Sequence, residues 1–319
     1  MLCIRLKNTN PYFCLAAEEY FLKNFDDDIF MLWQSENTIV VGKHQNAQGE
    51  INYPFVRKNN ITVARRISGG GTVFHDAGNV NFSFIKNVKS AAEISFKQFT
   101  EPVREALAKL GVEATASGRN DLLIDGKKIS GNAEHIFKNR VLHHGTLLYN
   151  SDLENLGKAI KVIAGKYTGK AVQSNRSEVA NISTFIKSSL NISEFIQFLI
   201  DVQLSKSKNI KYELTEKDTK KIETLAKEKF ETWDWNFGYS PKYLFKNNVE
   251  IDGKKLSIVL NVKKGNIEDC TISGDYFSKD IAEYLCLQLQ HKRHFFEDIK
   301  EAIHKIQPGV SNEFIYSFF

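Results

Sequence analysis

Two Asp-Gly pairs, each set between strand-forming runs, constrain the fold of this chain more than any other feature. They lie in Ile124-Asp125-Gly126-Lys127-Lys128-Ile129 and Ile251-Asp252-Gly253-Lys254-Lys255-Leu256. Asp-Gly tolerates φ > 0 at both central positions of a two-residue loop, so each pair predicts a tight β-hairpin. Sheet built from hairpins is antiparallel in part, and helical periodicities are interspersed with the strands. Helices are expected over 12–25 (Tyr12, Phe13, Leu15, Ala16, Tyr20, Phe21) and over 95–110 (Phe96, Phe99, Val103, Leu107, Leu110), the second ended by Gly111. Ser151 and Glu154 form a capping-box start for a helix to about Ile163. Further helices are expected over 193–206 and from Thr215 to about Phe230. Thr38–Val41 reads as a short strand. Val80, Phe82 and Phe84 alternate with polar residues as a half-buried strand should. The pattern favours an α+β fold with a mixed or antiparallel sheet and flanking helices over a doubly wound parallel sheet.

Trp233-Asp234-Trp235-Asn236-Phe237-Gly238-Tyr239-Ser240-Pro241 interrupts this pattern. It is too aromatic for a free linker, and Gly238 and Pro241 stop a helix. It reads as a packed junction between a domain of residues 1–238 and a small α+β domain of residues 239–319. The second contains a hairpin at about 244–262, a strand near 267–272, and helices at about 278–291 and 294–306. With 319 residues the chain can bury a substantial core. A net charge of +5, dispersed among acids, lacks the concentrated basic stripe of a nucleic-acid binder. No apolar run approaches the roughly 18–20 residues that cross a bilayer, and the first residues carry no export pattern. Cys3, Cys14, Cys270 and Cys286 are scattered, without C-x-x-C or histidines at metal-ligand spacing, which suits a reducing compartment. A cytoplasmic protein without membrane or nucleic-acid partners is expected.

Arg65-Arg66-Ile67-Ser68-Gly69-Gly70-Gly71-Thr72-Val73-Phe74-His75-Asp76 is the strongest functional signal. Three glycines let the backbone turn through φ > 0 and lie against a ligand. Successive N–H groups in such a turn make an anion-binding concavity, with Arg66 beside it as a full charge. Neither standard nucleotide fingerprint is present: Phe74 stands where G-x-G-x-x-G needs its last glycine, and no G-x-x-x-x-G-K-[ST] follows.

The first Asp-Gly hairpin carries a second signal. A regular register pairs Ile124 with Lys127, Leu123 with Lys128, Leu122 with Ile129 and Asp121 with Ser130. Asp121, Leu123, Lys128 and Ser130 then share one face. Lys128 and Asp121 become diagonal neighbours, roughly 7–8 Å apart at the backbone, able to share a phosphate and its magnesium. The second hairpin is an internal control, since I-D-G-K-K alone is a good turn with solubilising lysines. Only the first copy is flanked by Gly118-Arg119-Asn120-Asp121 and Gly131-Asn132-Ala133. A third segment, Lys166 to Ser177, is small, polar and basic, suited to closing over an anionic ligand.

Together with Gly42-Lys43-His44-Gln45-Asn46, Gly78-Asn79 and His143-His144-Gly145-Thr146-Leu147-Leu148, these segments resemble the lipoate–protein ligase A family, in its bacterial two-domain form. The family sits within the biotin/lipoate protein ligase superfamily. The resemblance implies ATP-dependent activation of lipoate to lipoyl-AMP, then transfer to a lysine of a lipoyl-carrier domain, in E2 subunits or the glycine cleavage H protein. It implies ATP contacts from Arg66, Gly71, Thr72, Val73, Phe74 and Lys128, with Lys128 also at the lipoate carboxyl as the catalytic residue. Arg66, Gly70 and His75 are expected at lipoate, and Asp121 at Mg2+. Val41, Val73 and Phe74 are candidates to line the channel for the dithiolane tail. A lipoyltransferase using preformed lipoyl-AMP and a non-catalytic binder are the alternatives. A cysteine acyl-enzyme is disfavoured, since none of the four cysteines falls near these motifs.

Overall fold

The computed structural model describes residues 1–89, 94–118, 120–160, 163–174 and 177–319. Among them run fifteen strands: β1 Leu2–Arg5, β2 Ile29–Trp33, β3 Thr38–Val41, β4 Thr62–Arg65, β5 Val73–His75, β6 Asn79–Asn87, β7 Thr115–Ser117, β8 Asp121–Ile124, β9 Lys127–Phe137, β10 Arg140–Leu148, β11 Tyr167–Gly169, β12 Ile210–Lys211, β13 Tyr243–Ile251, β14 Lys254–Lys263 and β15 Asn266–Gly274. The chain parts into two compact units. The first takes Met1–Lys43, Ile61–Gly157 and Ser174–Thr232; the second takes His44–Asn60, Lys158–Gln173 and Trp233–Phe319. Both units are assembled from separated stretches of sequence.

The first unit is built on an eight-stranded mixed sheet in the order β12-β1-β2-β6-β10-β9-β8-β7 and a three-stranded sheet β4-β3-β5. Only β12-β1-β2 and β3-β4 pair in parallel. This is the α+β architecture expected from the hairpin signals. Helix Pro11–Asn24 starts where Asn10 accepts hydrogen bonds from the Tyr12 and Phe13 amides, with Pro11 at the first helical position. Helix Phe96–Lys109 turns Phe99, Val103 and Leu107 into the core, where they meet Phe82, Phe84 and Phe195. Helices Ile192–Leu204 and Glu216–Leu225 open on capping boxes, Asn191 with Glu194 and Thr215 with Asp218. The last passes into a π-helical turn, Ala226–Phe230.

Two local expectations are corrected. The helix after β10 is Leu153–Ala159, and its cap is Asp152, whose Oδ1 accepts from the Glu154 and Asn155 amides. Ser151 lies one residue too early to serve. Residues 161–162 of the longer expected helix lie outside the described residues. Strand β6 is not half-buried: Asn79, Asn81 and Ser83 are as buried as Val80, Phe82 and Phe84. The face that alternation assigns to water is instead occupied by hydrogen-bonded polar side chains of the same unit.

The second unit has a four-stranded antiparallel sheet, β11-β13-β14-β15. Its Asp-Gly hairpin joins β13 to β14, with φ of 52° at Asp252 and 75° at Gly253. The first copy has 49° at Asp125 and 78° at Gly126, so both turns are type I′ as their sequence demands. Helices Lys279–Leu289 and Phe296–His304 follow. Distant segments complete this core: Tyr53 stacks on Phe319 at 4.1 Å, and Tyr167 packs against Phe245. No helix among the described residues is long and apolar enough to cross a membrane.

Two buried histidines give the fold an acid-sensitive term. Burial lowers His75 to about 3, the charges of Arg66 and His144 adding to the effect. Burial likewise lowers His294 to about 4, against a partly offsetting hydrogen bond to the Phe318 carbonyl. In the unfolded chain both titrate near the ordinary value of about 6.5. Between these limits only the unfolded state takes up protons, so stability is complete above about pH 6.5 and declines as pH falls towards 4 and 3. At pH 5.5 each histidine removes on the order of 1 kcal/mol. Thermal melts between pH 7.5 and 5 should show this fall, with a shallower slope in His75→Asn. Parallel slopes in the two proteins would rule out the contribution of His75.

Candidate active site

The glycine loop leaves β4 at two buried arginines. Arg65 donates from Nη1 to the carbonyls of Gly42 and Lys43, tying β4 to the end of β3. Arg66 turns under the loop. Its Nε donates to Ser68 Oγ at 3.0 Å and to the Gly69 carbonyl at 3.2 Å. Its Nη1 reaches the Val40 carbonyl at 3.0 Å, and its Nη2 the Gly69 and Gly71 carbonyls at 2.6 and 2.7 Å. The guanidinium is thus a buried strut that sets the shape of the loop. Burial lowers it to about 10, opposed by the charge of Glu18, so it stays cationic at neutral pH.

Of the three glycines only Gly70 sits at left-handed φ, +86°. A Cβ there would also lie 3.0 Å from Arg66 Nη2. A Cβ at Gly69 would meet nothing within 4 Å, whereas one at Gly71 would press on Ser174. The Thr72 amide donates to Ser174 Oγ at 2.8 Å, which brings one end of the Lys166–Ser177 segment to the loop. Asn175 and Arg176 of that segment lie outside the described residues.

A chain of buried polar groups lies beneath the loop, and sequence reading did not single it out. Ser68 Oγ is 2.6 Å from His144 Nε2, and His144 Nδ1 is 2.9 Å from both carboxylate oxygens of Glu18. Ser83 donates to Glu18 at 2.6 Å and receives the Trp33 indole N–H at 3.1 Å. Because Arg66 donates to Ser68, the serine hydroxyl is free to donate to His144 Nε2, which leaves the Nδ1 proton for Glu18. The run therefore joins Arg66 to Glu18 through Ser68 and His144, a buried polar network of the kind that fixes geometry when its hydrogen bonds are made. Its signal was in the sequence: Glu18 sits on an apolar helical stripe between Leu15 and Phe21, and Ser83 on the alternate positions of β6.

His75 lies beside this network. Its Nδ1 is 3.0 Å from Ser35 Oγ and 3.5 Å from Asn81 Nδ2. An amide nitrogen can only donate, so Nδ1 is the acceptor and the proton sits on Nε2. That Nε2 is buried and has no hydrogen-bond partner among the described residues, a condition that ordinarily costs 1–3 kcal/mol. Val41 and Phe74 are buried around β3 and β5, with Val73 partly exposed.

Lys128 and Asp121 come together across the hairpin. Their charged ends form an ion pair of 2.9 Å, both side chains about three-quarters buried (24% and 29% exposed). The register itself is corrected. Ile124 pairs with Lys127 and Leu123 with Lys128, but a bulge follows, so Leu122 faces Ser130 and Asp121 faces Gly131. The Lys128 backbone is also bonded on its other side, its amide to the Glu178 carbonyl and its carbonyl to the Ala180 amide. Ile129 and Ser130 both enter the interior, and Ser130 leaves the Lys128 face. Gly131 takes its place. A Cβ at Gly131 would lie 3.0 Å from Lys128 Cε and 3.1 Å from Nζ, so the lysine crosses the strand over this glycine.

The hairpin meets the glycine loop through β9. A Cβ at Gly70 would lie 3.7 Å from that of Ala133, which is paired across β10 with His144. Arg119 of the flanking motif lies outside the described residues. The twin lysine, Lys255, pairs with Glu250 in an uninterrupted register and is exposed. Gly131→Ala should leave thermal stability nearly unchanged while displacing Nζ. A shift of about 1 Å at a positioned group lowers turnover on the order of 100-fold. Unchanged turnover would mean the ammonium is not held where it is needed.

His143 does not join this set. It hydrogen-bonds Glu134 and Asn132 and stacks on Phe99 at 4.8 Å. Gly145 exists to clear these neighbours, since a Cβ there would lie 2.2 Å from Asn132 Oδ1. Among the described residues no group of three or more histidine, cysteine or carboxylate side chains is placed to hold a metal.

The family models for the lipoyl protein ligase A/B catalytic domain and the bacterial lipoate protein ligase C-terminus match residues 10–203 and 240–317. The chain is 42% identical over 312 residues to lipoate-protein ligase LplJ of Bacillus subtilis (strain 168), covering 95% of this chain and 94% of that protein. Among solved structures it is similar to a chain of the bipartite lipoate protein ligase and E2 lipoyl domain system of Thermoplasma acidophilum. That match has a TM-score of 0.65 and 28% identity, covering 75% of this chain and 96% of that one. A lipoate-protein ligase A bound with ATP matches with a TM-score of 0.62 and 26% identity, covering 75% of this chain and 98% of that one. The chain belongs to the lipoate–protein ligase family.

Proposed function

We propose that this ATP-dependent lipoate–protein ligase works in two steps, both centred on Lys128. The observation that carries the reading is the Lys128 ammonium, held over Gly131 and opposite Asp121 on a doubly bonded strand next to the glycine loop. In the first step the lipoate carboxylate attacks the α-phosphate of ATP, forming lipoyl-AMP and releasing pyrophosphate. Two anions must meet, and a fixed cation offsets their repulsion. In the second, the amine of a carrier lysine attacks the mixed anhydride, AMP leaves, and the same ammonium stabilises the developing oxyanion. Phosphate oxygens take the place of the Asp121 carboxylate at Lys128, so the ammonium keeps an anionic partner when the ion pair opens.

Arg66 shapes the loop whose Gly71, Thr72, Val73 and Phe74 lie along the nucleotide. Gly70, Arg66 and the partnerless Nε2–H of His75 face lipoate, whose tail runs among Val41, Val73 and Phe74. Mg2+ is ordinarily held by one or two carboxylates together with substrate phosphates, and Asp121, a lone carboxylate freed when Lys128 turns to phosphate, fits that pattern. Bound there, the ion would neutralise phosphate charge. Residues 1–238 carry both steps and 239–319 serve as an accessory domain. The acceptors are lipoyl-carrier domains of E2 subunits and the glycine cleavage H protein, in the cytoplasm.

The test is pyrophosphate release on mixing the protein with ATP, Mg2+ and lipoate, then mass spectrometry of an added unmodified lipoyl domain. Lipoate-dependent pyrophosphate with a lipoylated carrier is expected. Transfer from supplied lipoyl-AMP without pyrophosphate release would make the protein a lipoyltransferase instead, and neither signal would make it a binder.

A further inference from the structure

The sequence scatters four cysteines, but the second unit brings two of them together. Cys270 is on β15 and Cys286 on helix Lys279–Leu289, sixteen residues apart, and their Sγ atoms lie 2.8 Å from each other. Both are free thiols and both are partly exposed. They line an open cavity of about 670 Å³ whose wall mixes the apolar Ile272, Phe277 and Leu287 with the charged Lys279 and Glu283. Cys3 and Cys14, by contrast, are buried in the first unit. Nothing in the ligase reaction uses the pair.

Two further features bear on reactivity. The Cys286 thiol is lowered from its usual range by its contact with Cys270 Sγ, against its burial. Cys270 is raised by the same contact and by burial. The contact lets one sulfur carry the thiolate while the other keeps the proton, the division that thiol–disulfide exchange requires. Contact between the sulfurs makes the closing step intramolecular, with the entropy of encounter already removed.

We propose that Cys270 and Cys286 form a dithiol site that exchanges with small disulfides entering this cavity, cyclic 1,2-dithiolanes above all. Cys286 thiolate attacks one sulfur of the disulfide, breaking its S–S bond and forming a mixed disulfide, and the released sulfur takes a proton. Cys270 then gives up its proton and attacks Cys286 Sγ, forming the Cys270–Cys286 bond and expelling the second sulfur as a thiol. Two electrons and two protons pass from the cysteines to the ligand, and a dithiolane leaves as one dithiol. A five-membered ring holds its disulfide dihedral far from the relaxed range near ±85–100°, and the strain so stored speeds thiolate attack on the ring bond relative to a linear disulfide. The apolar side chains of the wall suit a dithiolane with an alkyl arm.

The test uses the reduced full-length protein with lipoamide as the cyclic probe and oxidised glutathione as the linear one. Acid quenching, alkylation and peptide mass spectrometry follow. The expected result is loss of two hydrogens from the linked peptides of Cys270 and Cys286, with one dihydrolipoamide formed per protein. Cys3 and Cys14 should remain fully alkylated once the protein is unfolded in the quench. Cys270→Ser should trap the mixed disulfide of glutathione on Cys286, and Cys286→Ser should abolish the reaction while keeping the wild-type melting temperature. Reaction with both probes, faster for lipoamide, supports the proposal in full. Oxidation by neither probe overturns it, as does a linear probe reacting faster, or equal oxidation of Cys3 and Cys14. No arm requires ATP or a carrier, so the outcome is independent of the ligase reading.

Discussion

Lys128→Ala loses lipoate-dependent pyrophosphate release by about 100- to 1000-fold, the loss of about 2.7–4 kcal/mol that follows removal of one positioned donor from developing negative charge. The fold survives, because the Lys128 side chain is partly exposed and its backbone bonds to Glu178 and Ala180 need no side chain. Lys255→Ala, in the twin hairpin, leaves the rate unchanged. The two lysines share their local sequence and turn, so the pair of variants isolates what the flanks add: the bulge at Ile129, the clearance over Gly131 and the opposing Asp121. Single-turnover pyrophosphate measurements on both variants decide the matter. Equal losses would show that the distinction between the copies has no catalytic meaning, and no loss in either would remove Lys128 from the chemistry.

Gly78→Ala is expected to cost about 3–5 kcal/mol of stability, a large part of the 5–15 kcal/mol typical of a domain. A Cβ at Gly78 would lie 1.9 Å from the Asn150 carbonyl oxygen and 2.6 Å from the Ser151 amide nitrogen. These are backbone atoms that cannot swing aside as a side chain would. Relieving the clash pulls apart the bonds from the Tyr149 and Asn150 amides to the Gly78 carbonyl. Overpacking alone costs about 1–3 kcal/mol, and each buried bond lost adds about 1 kcal/mol. Gly69→Ala is the matched control, since its Cβ meets nothing and its backbone is not left-handed; its stability should stay within about 0.5 kcal/mol of the parent. Urea melts of both variants test this, and a Gly78→Ala protein as stable as Gly69→Ala would show that the contact between Gly78 and Asn150 is not kept in solution.

What sequence could reach here follows the range of the interaction. Hairpin turns, helix caps and apolar stripes are local, and Asp125-Gly126, Asn191 with Glu194, and Phe99 with Leu107 sit where their neighbours in sequence place them. The β9 register failed because a bulge shifts the pairing between Leu122 and Leu123, and period-two alternation carries no mark of an inserted residue. Period-two alternation in β6 was read correctly as two faces. The polar one, however, meets Glu18 and His75 rather than water, and hydrophobicity alone cannot tell a solvated face from a satisfied buried network. Arg66 was legible as a charge beside the glycines, but its work as a strut depends on the distant Val40 carbonyl as well as those of Gly69 and Gly71. The glycines carried the most information per residue: Gly70, Gly78, Gly131 and Gly145 each mark a close approach that a Cβ would block.

The discontinuous make-up of the second unit bears on how the protein is born. Its sheet and aromatic core need Tyr53 against Phe319 and β11 against β13, yet His44–Asn60 and Lys158–Gln173 are synthesised well before Trp233–Phe319. At the usual pace of about 5–20 residues per second, these two segments wait on the order of ten seconds at the ribosome before their partners emerge. During that interval β11 is a strand with no sheet to join. Chaperone binding to nascent chains should therefore concentrate on these two stretches rather than on the uninterrupted hairpins.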